Sequence, residues 1–192
     1  MEAARALRAA VAASSAAALV WSAHRARSRT VSEVEERVFR VANDAPDALD
    51  AVAWPVMQMG SLGAVFATSA RVWRTSGPRR AVTVAVIGTA VWGGVKVIKP
   101  AIGRGRPAMY LPAVHVRGQP QTGLGYPSGH AAVSLTLALL ATRSRRARAA
   151  AVAGAGVTGA TRMYVGAHLP LDVLGGFAVG LLVESIDRRW RI

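Results

Sequence analysis

The chain of 192 residues contains no cysteine. A disulfide framework and a thiolate metal site are both excluded, and the redox compartment cannot be read from the composition. Histidine is scarce: His24, His115, His130 and His168 are the only four, and no two are close enough for a short His-x-x-x-His metal pair. Lysine is nearly missing, with Lys96 and Lys99 alone, so arginine carries almost all of the positive charge. This arginine- and alanine-rich usage suggests a GC-rich bacterial genome and carries no mechanism. Ten acidic residues stand against twenty-four Lys and Arg, a net charge of +14. So basic a chain suggests nucleic acid first. The placement of the arginines argues against that partner. They cluster in strips between apolar blocks: Arg71, Arg74, Arg79 and Arg80; then Arg143, Arg145, Arg146 and Arg148; then Arg188, Arg189 and Arg191. Such strips are the positive-inside pattern of a membrane protein.

What the chain has in quantity is apolar sequence. The apolar fraction is 52% and the mean hydropathy +0.30. The expected fold is an all-α, polytopic transmembrane helical bundle in one domain, residues 1–192. Residues 9–23 form a short, weakly apolar run flanked by arginines. It reads as a first span, a signal-like segment or a surface helix, and an uncleaved first span is preferred. In 30–45, Val31, Val34, Val38, Phe39 and Val41 recur at helical spacing opposite Glu33, Glu35, Glu36, Arg37 and Arg40, and Ser32 with Glu35 fits a capping box. This predicts an amphipathic helix, either at the membrane surface or as a solvated connector. Residues 1–47 are thus expected to form an N-terminal span plus interfacial helix, and 48–192 the helical core. Further spans are predicted over 48–70, 81–98, 129–142, 149–166 and 169–186, which makes about six, or five if 9–23 does not cross. The arginine strips put loops 71–80 and 143–148 and the tail 187–192 on the cytoplasmic side. Loop 99–128 and the junction 166–169 then share the outer side. Gly176 and Gly180 make a GxxxG step, and Gly156 and Gly159 a similar small face. These read as packing, either internal or in a homo-oligomer.

Three stretches on the outer face need a reason, and in the first, basic residues run against the positive-inside trend. The first is "KPAIGRGRPAMY", where Lys99 and Arg106 stand seven apart with Arg104 between, and Gly103 and Gly105 let the backbone bend. An arginine fork and a lysine point charge suit phosphate. The second is "YPSGH": Ser128 is a candidate N-cap, and Gly129 and His130 open the following helix. A helix N-terminus is a ready anion site. The third is "TRMYVGAHLPLDV", with Arg162, His168 and Asp172. His168 and Asp172 are four apart, so one helical turn stacks them, and a carboxylate on one ring nitrogen leaves the other free as a base or nucleophile. Each stretch also has a bland reading: a tolerant loop, a cap beside a bystander His, a structural Arg–Asp pair. Their arrival on one face, two histidines with three cations and no carboxylate cluster, suits displacement at a phosphate better than a metal.

These residues resemble the type 2 phosphatidic acid phosphatase (PAP2) superfamily. Its signature reads here as Lys99…Arg106-Pro107, Pro127-Ser128-Gly129-His130, and Thr161-Arg162…His168…Asp172. Order and spacing match across 99–172; the one departure is Thr161 for the usual serine, which keeps a hydroxyl. The resemblance implies a bacterial plasma-membrane lipid phosphatase with its site on the extracytoplasmic side. It implies His168 as nucleophile through a phosphohistidine, Asp172 orienting it, and His130 as acid and then base. Lys99, Arg106, Ser128, Gly129 and Arg162 would hold the phosphoryl oxygens, with no metal and no cofactor. Lys96, His24 and His115 match no motif position. Substrates in keeping with it are a polyprenyl diphosphate, a polyprenyl-phosphate sugar phosphate, phosphatidic acid or phosphatidylglycerophosphate. Vanadium-dependent haloperoxidases share such an anion site, but they are soluble. A non-catalytic lipid-phosphate binder or transporter is the alternative, and it would not require His130 or the His168–Asp172 pair.

Overall fold

The run "GHAAVSLTLALLA" is apolar on every side, so as a helix it has no face to offer water and must be enclosed. In the computed structural model, which describes residues 2–142 and 144–186, this run is the central helix. The elements are α1 (Glu2–Arg27), α2 (Glu33–Asn43), α3 (Asp50–Gln58), α4 (Leu62–Ser76), α5 (Pro78–Ile102), α6 (Gly129–Ala141), α7 (Arg145–Tyr164) and α8 (Pro170–Ile186). Short 3₁₀ turns lie at Asp47–Leu49 and Pro107–Met109, and no strand occurs among the described residues. Helix α6 touches α4, α5, α7 and α8. Residues Ala131 to Leu140 along it are all buried.

Two apolar clusters flank α6. Val65, Val72, Val84, Val91 and Val95 pack from α4 and α5, and Ala155, Phe177 and Leu181 from α7 and α8. The GxxxG step is used inside the chain. A Cβ on Gly176 would lie 2.4 Å from the Ser128 carbonyl oxygen, and one on Gly180 3.1 Å from that of Ala132. Only glycine permits α8 to lie this close to α6. Gly159 likewise meets Val173 and Phe177, whereas Gly156 faces open space.

Among the described residues two helices, Arg5–Arg27 and Pro78–Met109, are long and apolar enough to cross a membrane. The expected span 48–70 is not one straight helix. Asp47–Gln58 and Leu62–Ser76 meet at a 61° bend, and would make a third span if taken together. The break sits at Gly60-Ser61. Ser61 starts α4 as its N-cap, accepting the Ala64 N–H at 3.2 Å, and Gly60 lies against the backbone of His130. Helix α1 outruns the expected 9–23 at both ends and docks on α8. The buried Tyr126 pins it: its hydroxyl is 2.9 Å from Ser22 Oγ and 3.1 Å from the Leu19 carbonyl oxygen.

Helix α2 forms where expected, but Phe39, expected on the valine side, turns inward together with Glu35. The helix presses Glu35, Phe39 and Asn43 inward against α7 and α8, and leaves Val34, Val38 and Val41 exposed. Ser32 does accept the Glu35 N–H, but the Glu35 carboxylate does not return to Ser32 as a capping box requires; it joins Arg104. The loop after α5 is laced to this corner. Arg117 donates to the carbonyls of Asn43, Ala45 and Tyr164, each at 2.8 Å, and Asn43 exchanges hydrogen bonds with the backbone of His115.

At one end of the bundle lie the arginines of α4, α5 and α7. There Arg80 and Arg148 donate to the last carbonyls of α6, those of Leu140 and Leu139, and Arg148 pairs with Glu184 at 2.7 Å. The strip members Arg143, Arg188, Arg189 and Arg191 lie outside the described residues. The C-terminal ends of α5 and α7 and the N-terminal ends of α6 and α8 meet at the opposite end of the bundle.

Candidate active site

Each of the three stretches reaches that end by a different local device. Lys99 occupies the last turn of α5, and Gly103, at φ 70°, closes the helix by donating its N–H to the Lys99 carbonyl at 2.9 Å. A left-handed residue here reverses the chain, so the next residues fold back over the bundle end. Lys99 Nζ then donates to the carbonyls of Leu124 and Gly125, both at 2.9 Å. Two of its three N–H groups hold the segment that leads into "YPSGH", and one remains for another acceptor.

That segment ends on Ser128, whose side chain caps α6 through the Ala131 N–H at 3.4 Å and whose own N–H donates to the Asp172 carbonyl at 2.8 Å. The start of α6 and the start of α8 are thereby fastened together. Gly129 follows; a Cβ there would sit 3.3 Å from Val95, so glycine also allows α5 and α6 to close on one another. His130 lies in the first turn of α6, half-buried. Gly60 presses on it: a Cβ at Gly60 would be 2.3 Å from the His130 carbonyl oxygen.

The third stretch turns at the end of α7. The Arg162 carbonyl accepts the N–H groups of both Ala167 and His168, at 3.0 and 3.1 Å. Its guanidinium is buried and meets the Met57 sulfur of α3. Thr161, the one departure from the signature, bonds its hydroxyl to the Thr158 carbonyl at 2.8 Å within the helix.

His168 is the centre of the arrangement. It lies buried in the connector between α7 and α8. Arg106 Nη1 stands 3.1 Å from Nε2, and also donates to the Ala167 carbonyl at 2.7 Å. A guanidinium can only donate, so Nε2 must present its lone pair and the ring hydrogen must be on Nδ1. Nδ1 faces Asp172 Oδ2 at 3.4 Å, a long contact, and that same oxygen accepts the Leu169 N–H at 3.0 Å. Burial, and then the nearby charges of Arg106, Arg162 and Lys99 with His130 beyond them, push the His168 imidazole well below its ordinary range. It is therefore a neutral ring whose free lone pair is turned toward cations.

The eight residues singled out by motif accordingly meet at one end of the bundle. The buried Nε atoms of Arg104, Arg106 and Arg162 have no hydrogen-bond partner among the described residues. Buried N–H donors of this kind seek an acceptor, and an anion between Arg106 and Arg162 would supply one. No cluster of three or more His, Asp or Glu that could hold a metal ion occurs among the described residues. Lys96 stays apart, its Nζ 3.2 Å from the centroid of the Trp92 ring, and His24 and His115 are exposed.

Two residues at the site were not marked by the motifs. Arg104 is fully buried and bonds Asp172 Oδ1 at 3.2 Å and Glu35 at 2.7 and 2.9 Å. Glu35 comes from α2, far away in sequence. Gly125 closes over the pair, since a Cβ there would be 2.8 Å from Asp172 Oδ2. The sequence hint for Arg104 was its position two residues before Arg106; nothing local pointed to Glu35.

The model of the PAP2 superfamily matches residues 80–190. An undecaprenyl-diphosphatase from Sulfolobus acidocaldarius is 31% identical over 94 residues, which cover 48% of this chain and 46% of that protein. The match thus spans about half the length of the curated relative. Among solved structures, LpxE of Aquifex aeolicus superposes with a TM-score of 0.65 at 24% identity, over 77% of this chain and 90% of its own. The first transmembrane PAP2-type phosphatidylglycerolphosphate phosphatase of Bacillus subtilis superposes with a TM-score of 0.67 at 23% identity, over 91% and 98%. At these identities the two structures speak for the fold.

Proposed function

Since the chain belongs to the PAP2 superfamily, we propose that it is an integral membrane phosphatase that removes a phosphoryl group from a lipid phosphate or diphosphate through a phosphohistidine. The observation that carries this reading is the state of His168: a buried, neutral ring with its Nε2 lone pair faced by Arg106 at 3.1 Å and ringed by Arg162, Lys99 and His130. A binding site for phosphate alone has no use for an oriented imidazole among its cations.

In the proposed reaction, Arg106 shifts its N–H from His168 Nε2 to a phosphoryl oxygen, and Nε2 attacks phosphorus. The bond from phosphorus to the lipid-side oxygen breaks, and His130, charged by a proton taken up together with the anionic substrate, gives that proton to the oxygen. Asp172 stabilises the Nδ1–H side of the ring as positive charge develops. Lys99 through its remaining N–H, Arg106, Arg162 and the first N–H groups of α6 behind Ser128 and Gly129 take up the negative charge of the transition state. Water then attacks the phosphohistidine, His130 accepts its proton, and inorganic phosphate leaves. The cations supply the charge neutralisation a metal would otherwise provide, so the reaction runs without one.

The arginine-rich end of the bundle is read as cytoplasmic, which assigns the site to the extracytoplasmic leaflet of a bacterial plasma membrane. Six crossings are proposed, with α3 and α4 forming one bent span and α6, at 13 residues, shorter than the bilayer core. The outward valines of α2 suit the interface. The names of the relatives supply the first substrates to try: an undecaprenyl diphosphate and a phosphatidylglycerol phosphate. The test is a phosphate-release screen of the purified protein in detergent against lipid mono- and diphosphates. Turnover of one class with loss in His168→Ala is expected; binding of the panel without release would replace the enzyme by a lipid-phosphate binder.

A further inference from the structure

Arg104 has no place in the proposed chemistry, yet it is fully buried, with two carboxylates on one guanidinium. Its fork is given mainly to Glu35. Nη1 reaches Glu35 Oε1 at 2.9 Å and Nη2 reaches Oε2 at 2.7 Å, the paired geometry that best matches a guanidinium to a carboxylate. Asp172 receives a single contact, from Nη1 to Oδ1 at 3.2 Å. Its other oxygen is kept for the Leu169 N–H and for His168 Nδ1. Glu35 also accepts the Leu171 N–H at 3.1 Å, one of the unpaired donors in the first turn of the helix that bears Asp172. The Arg104 carbonyl in turn accepts the Gly125 N–H at 2.7 Å, and Gly125 is the residue packed on Asp172 Oδ2.

We propose that Glu35 and Arg104 are positioning residues for the phosphatase reaction, acting on His168 through Asp172. Arg104 holds one oxygen of Asp172, so the carboxylate presents the other to the imidazole. Glu35 occupies the fork of Arg104, so the guanidinium does not clasp both oxygens of Asp172 and cancel the charge that His168 needs. The chain of charges, minus, plus, minus, leaves one net negative charge, and it lies on the His168 side. The segment carrying α2 thereby belongs to the catalytic unit although it lies outside the matched family region of residues 80–190.

This inference rests on the phosphatase reading, and its test separates the two. Initial rates are measured in detergent with a turned-over lipid phosphate for wild type, His168→Ala, Glu35→Gln, Glu35→Asp, Arg104→Lys and Arg148→Gln. Glu35→Gln is nearly isosteric and keeps an acceptor for Leu171, but frees the fork of Arg104. Its kcat should fall about 10- to 100-fold with KM within about twofold, the size and pattern of lost support behind a catalytic group. Glu35→Asp, which keeps the charge, should recover part of that loss, and Arg104→Lys, which keeps the charge but not the fork, should not. Arg148→Gln removes an ion pair at the far end of the bundle and should lower the melting temperature at unchanged kcat. Wild-type kcat in Glu35→Gln, beside an active wild type and a dead His168→Ala, overturns the inference alone. A rise in KM at unchanged kcat does the same. No release by the wild type overturns the phosphatase reading and the inference together. If Glu35→Gln does not fold, Glu35→Asp carries the comparison, with a smaller fall in kcat at unchanged KM supporting the inference and none opposing it.

Discussion

Gly60→Ala is a one-methyl change remote from every motif residue in sequence, and the structure makes it severe. The added Cβ would lie 2.3 Å from the His130 carbonyl oxygen, 2.6 Å from its Cα and 2.8 Å from its carbonyl carbon. Carbon atoms rest at about 3.5 Å or more from such neighbours, so the two backbones must part by about 1 Å. All three obstructing atoms are main chain at the start of α6, where no side chain can rotate away. Overpacking of this kind costs about 1–3 kcal/mol, and a displacement of about 1 Å in a catalytic group costs about a hundredfold in rate. Gly60→Ala should therefore fold with a lowered melting temperature and lose about two orders of magnitude in kcat, measured by phosphate release and by thermal unfolding in detergent. Gly156→Ala is the matched control. It lies within α7 and its Cβ meets nothing within 4 Å, so it should keep full activity and gain stability by up to about 1 kcal/mol from helix propensity. Wild-type turnover in Gly60→Ala would refute the reasoning, because it would mean that the bend between α3 and α4 does not set the position of His130.

Other expectations follow from the same geometry. Thr161→Ser should leave kcat and KM unchanged, since the hydroxyl bonds within α7 to the Thr158 carbonyl; a tenfold loss would mean that the side chain serves the site directly. Turnover should survive exhaustive chelation with EDTA, and a rate restored only by added Mg²⁺ would contradict charge neutralisation by Lys99, Arg106 and Arg162. Tyr126→Phe removes the hydroxyl that ties α1 through Ser22 and Leu19, and should lower stability by about 1 kcal/mol, read as a fall in melting temperature. Because the pKa of His168 is lowered, its ring stays neutral as the pH falls through 6.5 and charges only below that. Nitrogen NMR of histidine-labelled free protein at pH 6, assigned by difference with His168→Ala, should show an uncharged ring; a charged one contradicts the electrostatics derived for the site.

The parts of the site that depend on local order and spacing were legible in the sequence. Ser128 caps α6 as its position before an apolar run predicts, and Gly176 and Gly180 pack α8 against α6. His168 and Asp172, four apart, do meet, although His168 lies in the connector before α8 and the contact is 3.4 Å. What escaped was non-local. Ser32 and Glu35 satisfy the pattern of a capping box, but a buried guanidinium 69 residues away attracts the carboxylate more strongly than one backbone N–H. The valines of α2 made the acidic face look like the wet one. In a membrane-facing bundle the apolar side can turn outward while Glu35 turns in, and periodicity alone has no sign. The bend at Gly60 was hidden because 48–70 is predominantly apolar on both sides of it. Its cause, the backbone of His130 pressing on a glycine, is a tertiary contact with no local signature beyond Gly60-Ser61 itself. The lacing of the long loop by Arg117 and Asn43 joins three segments and is equally invisible to spacing.

The central claim is that His168 carries the phosphoryl group. The most direct measurement is mass spectrometry of protein quenched during turnover of a lipid phosphate, digested under conditions that spare phosphohistidine. The account predicts a phosphoryl adduct on the peptide containing His168, formed and lost at rates compatible with kcat and missing from His168→Ala. Steady phosphate release with no adduct on that peptide, or with undiminished rate in His168→Ala, would contradict it.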